Sequence, residues 1–344
     1  MDERPAVCAL INLAYDAESY GPSLANPVVC VGDAHMDPHD RPENTRVLLV
    51  DGEIVSALHI WEREAYARGD KVPFGIVTTV ATHPAHRRKG YVRRLMADAE
   101  DYLRGRGFAY GLLMGVVHTY GGSVGWRLAA EDRETLDRKY VVGTTGAALE
   151  AVSARRATVE DIPFLSGLYG ARYPRFFGPV VRSEEFWRRW SLARTWDGTY
   201  EVAMRGGARI GYFHLGNRRD SADEIAWEPA DASAAAATFR AAASLAAGEG
   251  ASEVSFWIGE DPAAAAALKT AFGDARRAYC APDGQPAATG DRAPYRQANW
   301  QDGFGYMVRF LNPGPGILSG VRSTEDLTAV MARHSWVYLD GDGV

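Results

Sequence analysis

Apolar and polar residues change their spacing along the chain and mark out one element after another. Over CALINLAYDAESY (8–20) the apolar positions fall on one helical face, which predicts a helix. In TRVLLVDGEIVSALHIWERE (45–64) two β-rich runs flank Asp51-Gly52, a residue pair suited to a type I′ turn, and a hairpin is predicted. GIVTTVAT (75–82) reads as a strand. A cationic turn follows, then a helix from about Tyr91 to Leu103 with Leu95, Met96, Ala99 and Leu103 on its inner face and Gly105 and Gly107 at its end. FAYGLLMGVV (108–117) is apolar throughout and reads as a buried strand.

The same order then returns. ARRATVEDIPFLSGLYG (154–170) reads as the start of a strand and a helix with Thr158 as cap and Asp161 three residues on. TYEVAMRGGARIGYFHLG (199–216) is a hairpin turning at Gly206-Gly207. A strand over 223–229, a helix over 232–250, a strand over 251–259 and a helix over 262–273 follow. Superposing the two turns lays IVSALHI on RIGYFHL. The pattern predicts an α/β (α+β) chain built of two tandem units, each a mixed, mostly antiparallel sheet flanked by helices. The spans read as 1–150, 151–312 and a C-terminal tail, 313–344, packing on the core. Residues 277–303 read as a polar loop, and MVRFLNP (307–313) as the last strand of the second copy. The first copy has no opening strand before its helix, so the second unit or the tail is expected to complete its sheet.

Composition narrows the function classes. The chain has 344 residues, 47% hydrophobic and 24% charged, enough for two domains. No run approaches the ~20 apolar residues of a membrane helix, and MDERPAVCALINL lacks the basic n-region of a signal peptide. Cys8, Cys30 and Cys280 have neither metal-ligand nor disulfide-framework spacing. These features together predict a cytoplasmic protein without a metal. A net charge of −6 argues against a nucleic-acid partner bound through overall charge. Oligomeric state is left open.

Set against that acidity, VTTVATHPAHRRKGYVRRLM (77–96) gathers Arg87, Arg88 and Lys89 before Gly90, between a strand and a helix. The first N–H groups of a helix lack partners and carry about half a positive charge, so this turn is a ready anion site. A diphosphate fits it. The spacing is neither G-x-G-x-x-G nor a P-loop. A merely solvated basic corner would set three cations against the helix dipole, at a few tenths of a kcal/mol each.

The stretch resembles the acyl-CoA loop of the GNAT N-acetyltransferase superfamily, [RQ]-x-x-G-x-[GA] after a strand ending V-x-x-x-P. Here it reads Arg87-Arg88-Lys89-Gly90-Tyr91-Val92 after Val80-Ala81-Thr82-His83-Pro84, with Val92 where the family has Gly or Ala. The fuller string is most similar to the tandem branch named for enhanced intracellular survival (Eis). The resemblance implies acetyl-CoA as co-substrate. It implies that the strand segment Val80, Ala81 and Thr82 lines the pantetheine arm, with Val80 and Thr82 bonding it through their backbones. It also implies that the amides from Arg87 to Tyr91 cradle the diphosphate. The second copy has Glu228 and Asp231 at the equivalent place and no R-x-x-G, so CoA is not expected there. Chains of the Eis type carry a third, sterol-carrier-like domain, for which the 33 residues after Leu311 are too few.

Direct acyl transfer to an amine needs a neutral nucleophile, a polarised thioester carbonyl and an acid for the thiolate. The resemblance implies a tyrosine acid in Y-x-x-x-G-[FYW]. In HTYGGSVGWRLA, Gly125-Trp126 closes the pattern, the tyrosine position falls on Gly121, and Tyr120 one residue earlier is the candidate. Ser123 is the alternative, placed to bond the sulfur or the pantetheine. The strand 75–82 holds no glutamate, so His118, whose ordinary pKa suits the task, is the candidate base. His83, a water chain and the C-terminal carboxylate are alternatives. Glu62 and Glu64 could meet a cationic acceptor or stand as solvated carboxylates. The aromatic residues Tyr169, Tyr173, Phe176, Phe177, Phe186, Trp187, Trp190 and Trp196 read mostly as core, and segment 172–190 resembles one that folds over the acceptor pocket in tandem units. The expected activity is N-acetyl transfer from acetyl-CoA to a primary amine of a small molecule or a lysine-like group. A non-catalytic CoA-binding regulator and a transferase of longer acyl groups are the alternatives.

Overall fold

The computed structural model describes residues 4–15, 36–122, 124–129, 139–144, 152–195, 198–231, 233–258, 261–273, 276–278 and 304–334. The chain divides into two compact units. The described residues up to 129, with 304–333, form the first; those from 139 to 278, with His334, form the second.

The first unit opens with helix α1 (Arg4–Ala14). Strands β1 (Thr45–Val50), β2 (Glu53–Ala67) and β3 (Asp70–Thr82) then form an antiparallel meander. Asp51 and Gly52 both take positive φ, as a type I′ turn demands. Helix α2 (Tyr91–Gly105) leads to β4 (Tyr110–Val116), a short helix α3 (Val117–Tyr120) and β5 (Arg127–Leu128). Leu95, Met96, Ala99 and Leu103 of α2 pack on Leu58, Ile60, Val77 and Leu113. Burying each large side chain contributes about 1.5–3 kcal/mol. Helix α1 packs through Val7, Leu10, Ile11 and Ala14 on Ala57 and Ala81.

The second unit uses β6 (Lys139–Gly143), β7 (Val152–Arg156), α4 (Ile162–Arg172), β8 (Phe177–Val180) and α5 (Glu184–Phe186). It continues with β9 (Gly198–Arg205), β10 (Ala208–Gly216), β11 (Ser221–Trp227), α6 (Ala234–Gly248), β12 (Glu253–Trp257), α7 (Pro262–Phe272) and β13 (Arg276–Ala278). As expected, Asp161 accepts the Thr158 N–H at 3.0 Å and completes a capping box ahead of α4. Strand β14 (Phe304–Phe310) and α8 (Thr324–Arg333) return to the first unit.

Both units are mixed, mostly antiparallel sheets flanked by helices. The first runs β1-β2-β3-β4-β14-β5, the second β13-β6-β12-β11-β10-β9-β7. Strands β3 and β4 pair in parallel in the first sheet, and β11 and β12 in the second. One sequence expectation is corrected. The strand over 307–313 does not end the second sheet; β14 lies in the first, antiparallel to β4 and β5. Reciprocally, β6 lies in the second sheet, between β12 and β13. The span 1–150 thus contributes β6 to the second sheet, and 151–312 contributes β14 to the first. Backbone hydrogen bonding is indifferent to chain order, and an alternating apolar strand can close either of two like sheets. The expectation that later chain completes the first sheet holds. Among the described residues no helix is long and apolar enough to cross a membrane.

Candidate functional site

Strands β3 and β4 pair in parallel only at Phe74–Tyr110, Gly75–Gly111 and Ile76–Leu112. Beyond Ile76 they part, while β3 stays paired to β2 as far as Thr82 and β4 to β14 as far as Val116. Between them lies a cleft with one free strand edge on each side. On its β3 side the register with β2 shifts between Ala57 and His59, which makes a bulge around Thr79 and Val80. Thr79 has φ 49°, an outlier for a β-branched residue, and its hydroxyl oxygen is buried without a partner among the described residues. Such backbone costs about 1–3 kcal/mol and persists only where its surroundings hold it.

The residues expected to line a pantetheine arm divide in role. Val80 is partly buried on the α2 side, and its carbonyl accepts the Tyr15 hydroxyl at 2.7 Å. Ala81 packs its methyl against α1, and its carbonyl accepts Ser56 Oγ at 2.9 Å. Thr82 Oγ1 lies 2.8 Å from the same Ser56 oxygen.

Past the strand, a 3-10 turn (Pro84–His86) leads into the cationic run. Gly90 caps α2 with φ 77° and nothing lies within 4 Å of where its Cβ would stand, so the backbone is open to close approach. The first turn of α2 has no acidic residue, and Gly90 supplies no side-chain cap. Arg87 is exposed but turned back, its Nη2 donating to the Ala14 carbonyl at 3.2 Å. Arg88, at φ 63°, and Lys89 are exposed. Tyr91 is half-buried and stacks on His86, with ring centres 6.3 Å apart.

On the β4 side the short helix α3 places Tyr120 half-buried over Gly115, where any Cβ would come within 2.7 Å of the ring. Tyr120 borders the same apolar cluster as Val80, Tyr91 and Val92. The loop after it is closed by Trp126 N–H donating to the Tyr120 carbonyl at 3.1 Å. The Trp126 ring lies over Gly111, and its Nε1 donates to Glu100 Oε1 of α2 at 2.9 Å. Arg309 of β14 donates to Glu100 Oε2 (3.1 Å) and to the Gly125 carbonyl (2.8 Å). The loop from Tyr120 to Trp126 is therefore anchored at its far end. Ser123 lies outside the described residues, as does the side chain of His118, whose backbone belongs to α3.

Glu62 is not available to an acceptor: it is buried and accepts Tyr102 Oη at 2.8 Å, with Arg106 3.1 Å away. Glu64 is exposed, 4.0 Å from Lys71. Sequence reasoning did not single out Tyr15, Thr79, Glu100 or Arg309. Their roles arise from contacts remote in sequence, which leave no local signal.

The second unit shows the same parting of strands with its contents replaced. Strands β11 and β12 pair only at Ser221–Ser255 and Ala222–Phe256. The Tyr173 hydroxyl then takes both the carbonyl and the N–H of Ile225, each at 3.0 Å. The Arg172 guanidinium stacks 4.0 Å over Trp227 and is ion-paired with Asp261. Helix α7 is capped by Asp261, which accepts from Ala263 N and Ala264 N. Ahead of α6, the Ser233 hydroxyl, and after it the Ser233 N–H, hold the Asp231 carboxyl below its usual range. Deeper in, Glu224 receives Arg182 through both oxygens (3.0 and 2.7 Å) and the hydroxyls of Tyr200 and Tyr212. Burial, then the Glu224 charge, push the Tyr212 and Tyr173 hydroxyls well above the ordinary tyrosine range. Tyr169, Trp187 and Tyr200 enclose Arg182; Tyr169 and Trp187 are buried core, as expected for most of the aromatic group, and Trp196 lies outside the described residues. Among the described residues no group of three or more metal-ligating side chains occurs.

Residues 2–129 match the sequence model of a family described as an acetyltransferase (GNAT) domain. No curated protein matches the chain. Among solved structures, the chain is similar to a GCN5-related N-acetyltransferase from Kribbella flavida. That match has 17% identity over 90% of this chain and 69% of that one, with a TM-score of 0.58. A GCN5-related N-acetyltransferase from Anabaena variabilis is similar at 15% identity, over 91% and 71%, with a TM-score of 0.59. A probable N-acyltransferase from Enterococcus faecalis is similar at 14%, over 90% and 70%, with a TM-score of 0.57. At these identities the structures show a shared fold.

Proposed function

We propose, for a chain whose residues 2–129 match the sequence model of a GNAT acetyltransferase domain, that the first unit transfers an acyl group, acetyl in the simplest case, from acyl-CoA to a primary amine. One observation carries the reading. The N-terminus of α2 has neither acid nor side-chain cap, directly follows the exposed Arg88 and Lys89 in the chain, and stands beside strands that part. Three features that would each cost stability alone are reconciled by one guest, a diphosphate carrying a pantetheine arm into the cleft. The second unit, its cleft filled by Tyr173 and Arg172, serves as scaffold.

In this reading the diphosphate rests on the amides from Arg87 to Tyr91 with Arg88 and Lys89 beside it, and Arg87 braces the loop against α1. Val80, Ala81 and Thr82 supply the wall for the pantetheine. Backbone N–H groups near the bulge polarise the thioester carbonyl. The neutral amine attacks, forming the C–N bond. As the tetrahedral carbon collapses, the C–S bond breaks, the nitrogen gives its proton to a base, and the thiolate takes one from the Tyr120 hydroxyl. His118 is our candidate base, and Ser123 a candidate hydrogen-bond donor to the sulfur. The acceptor class is a small-molecule or lysine-like amine.

The test is release of free thiol across a panel of amines with acetyl-CoA and longer acyl-CoAs. The double variant Arg88→Gln/Lys89→Gln is expected to raise the KM for acyl-CoA about tenfold or more while leaving kcat within about threefold, about 1.4 kcal/mol of ground-state binding per tenfold. No thiol release by the wild type with any amine, or an unchanged acyl-CoA KM in the double variant, would overturn the reading.

A further inference from the structure

We infer that Tyr15 is a positioning residue for the cofactor cleft: with Ala14, it makes the C-terminal end of α1 a clamp joining the bulge in β3 to the anion loop. The inference rests on the proposed acyl-CoA reading. Tyr15 continues α1, its N–H bonded to the Ile11 carbonyl at 2.9 Å. Its hydroxyl reaches across 65 positions of sequence to the Val80 carbonyl, 2.7 Å away. The adjacent Ala14 carbonyl receives Arg87 Nη2 at 3.2 Å. Two consecutive residues thus hold the β3 wall of the cleft and the anion loop that follows it. The distance between that wall and the loop sets the span that a pantetheine arm must cover between thioester and diphosphate.

The strained backbone at the bulge gives the grip its purpose. Thr79 at φ 49° has an incentive to relax into an ordinary strand conformation, and relaxing would rotate the neighbouring Val80 peptide. A hydrogen bond from a helix that is itself packed on Ala57 and Ala81 opposes that rotation.

The internal repeat supplies a comparison. Ile60 pairs with Val77 and Ala57 with Ala81 in the first sheet; Leu215 pairs with Ala222 and Tyr212 with Ala226 in the second. Since the hairpins superpose Ile60 on Leu215 and Ala57 on Tyr212, Val80 corresponds to Ile225. The residue that bonds Ile225 is Tyr173, which directly follows the first helix of its unit, as Tyr15 follows α1. One tyrosine at one place in the repeat therefore holds the same peptide in both units. In the second unit its neighbour Arg172 fills the cleft; in the first, the neighbour Ala14 holds the cationic loop. The tyrosine is common scaffold, and the first unit has joined it to a ligand site.

The pair Tyr15→Phe and Tyr173→Phe tests this, because each removes the hydroxyl that donates to the corresponding carbonyl, Val80 in one unit and Ile225 in the other. Acyl-CoA binding is measured by calorimetry with acetyl-CoA, alongside steady-state kinetics and thermal melting. Tyr15→Phe is expected to weaken acetyl-CoA binding and raise its KM about fivefold, with the amine KM unchanged. Tyr173→Phe is expected to lower the melting temperature and leave acetyl-CoA binding as in the wild type. Equal affinity in Tyr15→Phe and wild type, or an equal loss in both variants, would overturn the clamp alone. A wild type that binds no acyl-CoA would overturn the proposed function, and the clamp with it.

Discussion

Replacing Glu100 by alanine tests how the Tyr120 loop is held. Glu100 sits on the buried side of α2, accepts the Trp126 indole N–H at 2.9 Å and the Arg309 guanidinium at 3.1 Å, and keeps the Gly125–Trp126 corner against the sheet. Trp126 is 1% exposed, so its N–H cannot turn to water when the carboxylate is lost. Stranding a buried donor costs about 1–3 kcal/mol. Arg309 is more accessible, and losing that ion pair adds about 0–1 kcal/mol. Together they predict that Glu100→Ala destabilises the protein by about 2–3 kcal/mol, or about 5–10 °C for a unit of this size. Glu100→Gln keeps an oxygen for the indole and should cost about 1 kcal/mol or less. Urea unfolding of a double-mutant cycle with Trp126→Phe isolates the bond. In the phenylalanine background Glu100→Ala should cost at least about 1 kcal/mol less than in the wild type. Additivity within about 0.5 kcal/mol would show that the indole does not depend on Glu100 and would refute the reasoning.

Two further outcomes follow from the geometry. In Gly115→Val the new side chain stands where the Tyr120 ring now lies, so the ring must leave; kcat should fall about 100-fold with the acyl-CoA KM within about threefold, and an unchanged kcat would remove Tyr120 from the chemistry. Burial pushes His59 down to about 4 from an ordinary 6.5. The folded protein therefore keeps it neutral while the unfolded chain takes up a proton; its contribution is complete above pH 6.5 and declines as pH falls toward 4, by about 2 kcal/mol at pH 5. His59→Gln should flatten the fall in melting temperature between pH 7.5 and 5, and a slope equal to the wild type would show that His59 is not the group responsible.

Residue spacing alone was enough for the elements whose causes are local. Asp51-Gly52 and Gly206-Gly207 declare their hairpins, the stripe from Leu95 to Leu103 declares α2, and Gly90 marks where that helix starts, because turn geometry and helical period act over a few residues. The second unit's acidic turn was equally legible. Tertiary structure decided the rest. Nothing near 304–310 or 139–143 says which of two similar sheets will accept each strand, since any strand offers the same backbone bonds and the choice lies with remote partners. The bulge at Thr79 is likewise invisible in GIVTTVAT, since it exists only against the register of β2. Of the three adjacent cations, only packing against α1 separated Arg87, which braces the loop, from Arg88 and Lys89, which face outward. Tyr15 looked like one more aromatic at a helix end. Its hydroxyl acquires a role because folding brings the Val80 carbonyl, 65 residues away, to within 2.7 Å.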